Sequence, residues 1–80
     1  MFYSYIIYSK TLDKYYIGST ENIEDRLARH KRGSSKFTSR AKDWVLVYSE
    51  KYDTKSEAIK REYEIKRQKS RKYIESLIKK

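Results

Sequence analysis

Three residues in one short stretch of the sequence have side chains suited to phosphate chemistry: Tyr16, Arg26 and His30. Asn22, Arg26 and His30 are spaced four residues apart, so on a helix they form one polar stripe. Arg26 has no carboxylate at helical contact spacing, and a guanidinium without a local acid is suited to binding a phosphate. His30, the only histidine, can take or relay a proton near neutral pH. The ordinary alternatives are a solubilising arginine and a histidine on a surface helix.

Two tyrosines, Tyr5 and Tyr16, lie in neighbouring segments rich in Tyr and Ile. The chain of 80 residues has 9 tyrosines, and we expect most of them in the core or at its rim, where the ring is buried and the hydroxyl stays hydrated. Tyr16 differs because it shortly precedes Gly18, which lets the backbone turn or another group approach closely. We therefore interpret Tyr16 as a functional side chain.

Glu62 borders the apolar face of a predicted helix, with Ala58 and Ile59 one turn before it and Ile65 after it. One interpretation is an ordinary ion pair with Lys66, because Glu followed four residues later by Lys is a favourable helical pair. The other is a hard oxygen ligand, since Mg²⁺ is often held by one or two carboxylates together with phosphate and water. Spacing alone leaves both interpretations open.

Three strands are predicted to position these side chains. Segments 2–9 and 14–18 are rich in aromatic and β-branched residues, and the hairpin loop between them makes them an antiparallel pair. Segment 44–52 alternates with the period of a third strand. Between them, 36–42 is basic and irregular, and we expect a loop with Phe37 as its large apolar side chain.

Helices are predicted between and after these strands. The first spans 21–31, begins with a cap at Ser19 or Thr20 and ends at Gly33-Ser34-Ser35. Its apolar face consists of Ile23, Leu27 and Ala28. A second helix opens with the capping box Thr54-Lys-Ser-Glu57, and a break at 68–70 separates it from a last helix. The order β-β-α-β-α-α predicts one α+β domain over residues 1–80.

The charge balance indicates a polyanionic partner. Lys and Arg number 20 against 11 Asp and Glu, for a net charge of +9, and nucleic acid is favoured over an acidic membrane surface or protein. The alternative is charge that only solubilises the chain. The absence of cysteine excludes disulfides, thiolate metal sites and a cysteine nucleophile. No segment approaches the roughly 18 apolar residues of a membrane span, so we expect a cytoplasmic protein.

Several of these residues, in order and at matching spacing, resemble the GIY-YIG endonuclease superfamily. The similarity is greatest to its small stand-alone members and to the N-terminal nuclease domain of the excinuclease C subunit. Tyr3-Ser4-Tyr5 stands where that family has GIY, Tyr16-Ile17-Gly18 is YIG as written, and Arg26 and His30 form Arg-x-x-x-His. Glu57 to Glu62 resembles the helix that carries the family's glutamate.

The resemblance implies a three-stranded antiparallel sheet flanked by helices and a phosphodiester hydrolase that uses one Mg²⁺ or Mn²⁺ ion. Glu62 would bind the metal, and Tyr16 would act as base or water-positioning group, helped by Tyr5 and His30. Arg26 would stabilise charge on the cleaved phosphate. We expect all five to converge on one side of the sheet.

The substrate that this resemblance implies is DNA, with RNA not excluded, in a process such as repair or recombination. The expected contacts to its backbone are Arg29, Lys31, Arg32, Lys36, Arg40, Lys66 and Arg67. A partner protein could supply target specificity, and no membrane is expected. Two departures from the family bear on turnover: Ser19 stands where the excinuclease domain often has lysine, and Ile74 where some members have asparagine. A nucleic-acid-binding module without turnover is therefore the rival hypothesis.

Overall fold

A computed structural model describes residues 1–33, 36 and 38–79. The strands are β1 (Phe2–Ser9), β2 (Lys14–Thr20) and β3 (Val45–Tyr52), and the helices are α1 (Ile23–Lys31), α2 (Lys55–Gln68) and α3 (Arg71–Ile78), with a 3₁₀ turn at Thr38–Arg40. This order confirms the predicted α+β class. The expectations for Ser34, Ser35 and Phe37 concern residues outside the described range. No helix in that range is long and apolar enough to cross a membrane.

Strand β1 lies at the centre of the sheet, in the order β2-β1-β3, and both neighbours are antiparallel to it. The register places Tyr5 opposite Gly18 and Ile7 opposite Tyr16. A register shift between β1 and β3 at Ile6 and Ile7 leaves Val47 without a direct partner, as in a β-bulge. Because β1 is central, β2, which carries the YIG tripeptide, is an edge strand.

The two faces of the sheet are covered by different helices, because successive side chains of a strand point to opposite faces. On one face, Ile23 and Leu27 of α1 pack against a cluster made of Tyr5, Ile7, Ala41 and Trp44. On the other face, α2 and α3 contribute to a cluster made of Ile6, Ile17, Ile65 and Leu77. Helix α1 and the α2–α3 pair thus lie on opposite sides.

The junction between β2 and α1 differs from the prediction. Strand β2 continues past Gly18 to Thr20, because the backbone of Gly18 does not take a positive φ and keeps its place opposite Tyr5. The N-cap of α1 is Asn22, whose side-chain oxygen accepts from the Asp25 amide at 3.0 Å. Thr20 accepts from the Asn22 amide at 3.2 Å. The predicted caps at Ser19 and Thr20 are therefore wrong, since the turn needs two further residues.

The two ends of α2 agree with the prediction. Thr54 is its N-cap, and the Thr54 hydroxyl accepts from the Glu57 amide at 3.2 Å, as the capping box requires. At the other end Lys69 takes a left-handed conformation with φ of 49°. Ser70 then caps α3 by accepting from the Tyr73 amide at 3.2 Å. The predicted break at 68–70 is confirmed.

Candidate active site

A buried hydrogen-bonded pair joins β1 to α1. The Tyr5 hydroxyl lies 2.8 Å from Nε2 of His30, and both residues are 2% exposed. The other ring nitrogen, Nδ1, lies 3.0 Å from the Thr38 hydroxyl. Trp44 in turn donates from Nε1 to the Thr38 carbonyl at 2.9 Å. The imidazole is therefore fixed at both nitrogens.

The burial of His30 corrects the predicted inner face of α1. Ile23 and Leu27 pack against the core as expected, but Ala28 is exposed and His30 is buried in its place. A polar ring can be buried when its polar atoms are bonded, and Tyr5 and Thr38 supply those bonds. Thr38 was missed because its segment is an irregular basic one in the sequence, whereas the structure has a 3₁₀ turn there.

Burial keeps this pair neutral at neutral pH. It raises the pKa of Tyr5 to about 12, with an electrostatic effect of Tyr16 in the same direction and the hydrogen bond and positive charge of Arg26 opposing it. Burial also lowers the pKa of His30, and the positive charge of Arg26 lowers it further. Tyr5 is thus a hydrogen-bonding hydroxyl at neutral pH and not a base.

The titration of His30 provides a first prediction. Because its pKa is lowered in the folded state, its contribution to stability is complete above the unfolded value of about 6.5 and is lost as the pH falls through the lowered folded value. In an NMR titration of the single histidine ring we expect a midpoint below that of a histidine in a short peptide. A midpoint at or above the peptide value would contradict the buried placement.

Gly18 allows the Tyr5 ring to approach the neighbouring strand. A Cβ atom at Gly18 would lie 2.6 Å from the Tyr5 hydroxyl oxygen and 2.8 Å from Cζ, closer than real Cβ contacts. The hydrogen bond to His30 fixes the ring, so it cannot move aside without losing that bond. Gly18 therefore allows another group to approach closely and does not form a turn, the other role considered for it.

Gly18→Ala should therefore cost stability and disturb the histidine. We expect a loss of about 1–3 kcal/mol in the free energy of unfolding, the scale of overpacking in a filled core, together with a shift of the His30 ring signals. Ser19→Ala, at the next position on the same strand, should change neither by a comparable amount. A Gly18→Ala protein with wild-type stability and an unshifted histidine would contradict the close contact.

Tyr16 and Arg26 lie beside the buried pair. The Tyr16 ring centroid is 4.8 Å from that of His30, and Tyr16 is half-buried. Arg26 is exposed, has no carboxylate partner among the described residues, and its charge affects the pKa of both Tyr5 and His30. Four of the five predicted side chains are thus brought together by β1, β2 and α1.

Glu62 approaches from the other face of the sheet. Helix α2 packs through Ala58 and Ile65, on the face opposite Tyr5, so the expectation that all five residues lie on one side is wrong. The negative charge of Glu62 is nevertheless one of the causes that raise the pKa of Tyr5. The predicted ion pair is present, with Nζ of Lys66 at 2.6 Å from Oε2 of Glu62.

A surface cavity of about 390 Å³ lies at the end of the edge strand β2, between α1 on one face of the sheet and α2 on the other. Arg26 of α1 lines it from one side, and Lys55 and Ala58 of α2 line it from the other. Ser19, on β2 between them, is also part of the wall. A phosphate in this cavity would therefore meet groups from both faces of the sheet.

Ser4 ties α2 to the same central strand as Tyr5. Its buried hydroxyl donates to the Ala58 carbonyl at 2.7 Å, the carbonyl that in a regular helix also accepts from the Glu62 amide. Because Ser4 and Tyr5 are adjacent in a strand, their side chains point to opposite faces of the sheet. Ser4 binds the turn of α2 before Glu62, and Tyr5 binds the ring of His30. Sequence reasoning missed Ser4, although strand alternation next to Tyr5 was a usable signal.

The described residues fit one kind of metal site. They contain no cluster of three or more His, Asp, Glu or Cys side chains that could hold an ion. Glu62 is a single carboxylate, 13% exposed at its side chain, and paired with Lys66. Mg²⁺ commonly uses one or two carboxylates and takes its remaining ligands from phosphate and water. These residues therefore fit an ion held jointly with a phosphate and do not form a preformed protein cage.

The predicted nucleic-acid contacts differ in how far they are paired. Arg29 pairs with Asp25 at 3.1 Å and Lys66 pairs with Glu62. The others are exposed and make no ion pair within the part of the chain that is described: Lys31, Arg32, Lys36, Arg40 and Arg67. Their contact with nucleic acid stays a prediction.

Comparison with known proteins gives one family. Residues 1–74 match the GIY-YIG catalytic domain. The UPF0213 protein SH2523 of Staphylococcus haemolyticus is 46% identical over 77 residues, covering 91% of this chain and 93% of that protein. The UPF0213 protein SSP2268 of Staphylococcus saprophyticus is 46% identical over 76 residues, covering 90% and 92%. No solved structure matches significantly.

Proposed function

The chain belongs to the GIY-YIG family, and from this premise we propose that it is an endonuclease that hydrolyses phosphodiester bonds of DNA. We propose that the reaction uses one divalent ion, Mg²⁺ or Mn²⁺. We also propose that the protein functions in DNA repair or recombination. The observation that supports the proposal most is the cavity that joins Arg26 on α1 to the α2 turn before Glu62. A guanidinium with no carboxylate partner in the described part of the chain and a carboxylate whose charge reaches Tyr5 are suited to a phosphate and its counter-ion.

Arg26 is the proposed phosphate-binding group. Hydrolysis forms one bond from water oxygen to phosphorus and breaks the bond to a sugar oxygen, and negative charge accumulates on the phosphate in between. An exposed guanidinium without a carboxylate partner among the described residues can donate two parallel hydrogen bonds to phosphate oxygens.

Tyr16 is the proposed water-positioning group. Tyr5 is 2% exposed and has a pKa raised to about 12, so it serves better as a fixed hydroxyl than as a base. Tyr16 is half-buried against the His30 ring, and its hydroxyl can orient water. His30, neutral at neutral pH and fixed by Tyr5 and Thr38, holds this arrangement in place.

Glu62 is the proposed protein ligand of the ion. When bound, a divalent cation would neutralise charge that develops on the phosphate and lower the pKa of its water. For Glu62 to bind it, the carboxylate must leave Lys66, which is an exposed partner and can turn to solvent or to a phosphate. The Lys66 side chain is 45% exposed, so solvent screens the pair. Pairs of this spacing stabilise a helix by only about 0.5 kcal/mol, so losing the contact with the lysine is a small cost.

The test is a cleavage assay on a panel of labelled substrates. Purified protein is incubated with duplex, branched and single-stranded DNA and with RNA, in Mg²⁺, Mn²⁺ or EDTA. We expect cleavage of at least one DNA that requires metal and stops in EDTA. Cleavage that persists in EDTA would overturn the metal-dependent mechanism, and cleavage of RNA alone would overturn the choice of substrate.

The second candidate function is a nucleic-acid-binding module without turnover. The Glu62–Lys66 ion pair favours it, because at 2.6 Å it occupies the carboxylate that catalysis would need. This candidate keeps the basic surface and the fold. It is the conclusion if no substrate is cleaved by the wild-type protein while binding is retained.

Binding to DNA should depend strongly on salt under either candidate. With a net charge of +9 and about five phosphates neutralised, log K should fall against log salt with a slope of roughly −4 to −5 on duplex DNA. Fluorescence anisotropy of a labelled duplex at several salt concentrations measures this slope. Binding that is absent at low salt, or indifferent to salt, would remove DNA as the partner.

A further inference from the structure

A groove with a cationic rim lies beside the edge strand β2, on the α2–α3 side. Its volume is about 480 Å³, within the range of ligand pockets, roughly 300–1,000 Å³. The apolar part of its lining consists of Tyr15, Ile17, Ile65 and Ile74. The cations of its rim are Lys14, Lys66, Lys69 and Arg71.

The four rim cations are not equally available. Arg71 is paired with Asp13 at 2.6 Å and with Glu75 at 3.3 Å, and Lys66 is paired with Glu62. Lys14 and Lys69 are exposed and make no ion pair with any described residue. The rim therefore offers two ammonium groups that form no ion pair among the described residues, although the carboxylate of Asp13, which is paired with Arg71, also lines the groove.

The backbone of Lys69 gives a second, independent observation. Its φ of 49° places it in the left-handed region at the end of α2, where glycine is the usual residue because it has no Cβ. A lysine here keeps a strained conformation and a long charged side chain over the groove. Strain of this kind, when observed, points to a role for the side chain.

We propose that this groove binds the sugar–phosphate backbone of the nucleic-acid strand next to the cleaved phosphate. Lys14 and Lys69 bind its phosphates. The Tyr15 ring, which has Arg71 at 5.2 Å from its centroid, and the buried Ile17 and Ile65 form the floor of the groove. Lys66 links the groove to the candidate active site, because it lines the groove and also contacts Glu62. The strand thus runs along β2 from Arg26 to Lys14. This inference rests on the proposed function.

The test compares the double variant Lys14→Gln/Lys69→Gly with the control Lys51→Gln. Lys51 is also exposed and makes no ion pair among the described residues, but it lies on β3 at the opposite edge of the sheet. Affinity for a labelled DNA is measured over a range of salt. We expect the double variant to bind about tenfold more weakly, with a slope shallower by about 2, and the control to change little. Equal effects of the two variants would overturn the proposal.

Lys69→Gly alone separates binding from folding. Glycine relieves the left-handed conformation, so the melting temperature should be unchanged or higher while affinity falls and the slope becomes shallower by about 1. Wild-type affinity in this variant would overturn the role of Lys69. Preferential binding of an acidic peptide at Lys14 and Lys69, with DNA indifferent to both, would assign the groove to a protein and overturn the proposal.

The same assays distinguish failure of the groove from failure of the proposed function. If the wild type cleaves DNA and the double variant binds and cleaves as the control does, the groove is overturned and the nuclease stands. If the wild type neither binds nor cleaves nucleic acid, both are overturned.

Discussion

Glu62→Gln is expected to lower the cleavage rate by two or more orders of magnitude, which is about 3 kcal/mol of activation free energy. The substitution removes the one proposed metal-binding charge and keeps the shape of the side chain. Folding should be nearly intact, because the lost ion pair with Lys66 is worth about 0.5 kcal/mol at most. Cleavage rates and urea unfolding of both proteins measure the two effects.

The matched control is Glu64→Gln, the same chemical change two residues further along α2. Glu64 pairs with Arg61 at 3.7 Å and is 42% exposed at its side chain, and we expect its loss to leave cleavage unchanged. A Glu62→Gln protein as active as wild type would contradict the metal-binding role. Equal losses in both variants would indicate a general effect of charge on α2.

Arg26→Ala is expected to reduce cleavage in the same range through the loss of phosphate stabilisation. Stability should change little, because Arg26 is exposed and makes no ion pair among the described residues. Arg26→Lys should recover only part of the rate, since an ammonium cannot donate the two parallel hydrogen bonds of a guanidinium.

The control for Arg26 is Arg29→Ala on the same helix, where the arginine is already paired with Asp25 at 3.1 Å. It should weaken binding slightly and leave the rate at saturating substrate unchanged. If Arg26→Ala raised only KM and left kcat at the wild-type value, Arg26 would be a binding residue and its transition-state role would be wrong.

Local physics made much of the fold predictable from the sequence. The hydroxyl and carboxylate of Thr54 and Glu57 determine the start of α2 within four residues. The antiparallel pairing of β1 with β2 follows from two β-prone segments joined by a short loop. These features depend on neighbours in sequence, so no tertiary contact was needed to find them.

The sequence predictions were wrong where a contact between residues distant in sequence determines the local structure. His30 is buried because Tyr5 and Thr38 bond its two nitrogens, and Thr38 belongs to a turn that the sequence presents as irregular. Ala28 is exposed as a result, although its apolar character predicted the reverse. The N-cap of α1 is Asn22, and not the predicted Ser19 or Thr20, because β2 continues past Gly18 to Thr20.

The largest correction concerns the face of the sheet that carries Glu62. Alternation along β1 implies that Ser4 and Tyr5 point to opposite faces, but it does not say which helix covers which face. The structure places α1 over Tyr5 and α2 over Ser4. A candidate site assembled from both faces therefore depends on the edge strand β2, where the cavity lies.

Whether Arg26 and Glu62, on helices at opposite faces, act on one phosphate is tested most directly by combining their substitutions. Cleavage of the preferred substrate is measured for wild type, Arg26→Ala, Glu62→Gln and the double variant. Residues that act as a unit are strongly non-additive, so the double variant should be within about tenfold of the slower single variant. A double variant whose loss equals the product of the two single losses would mean that the residues act independently, and would contradict a shared site.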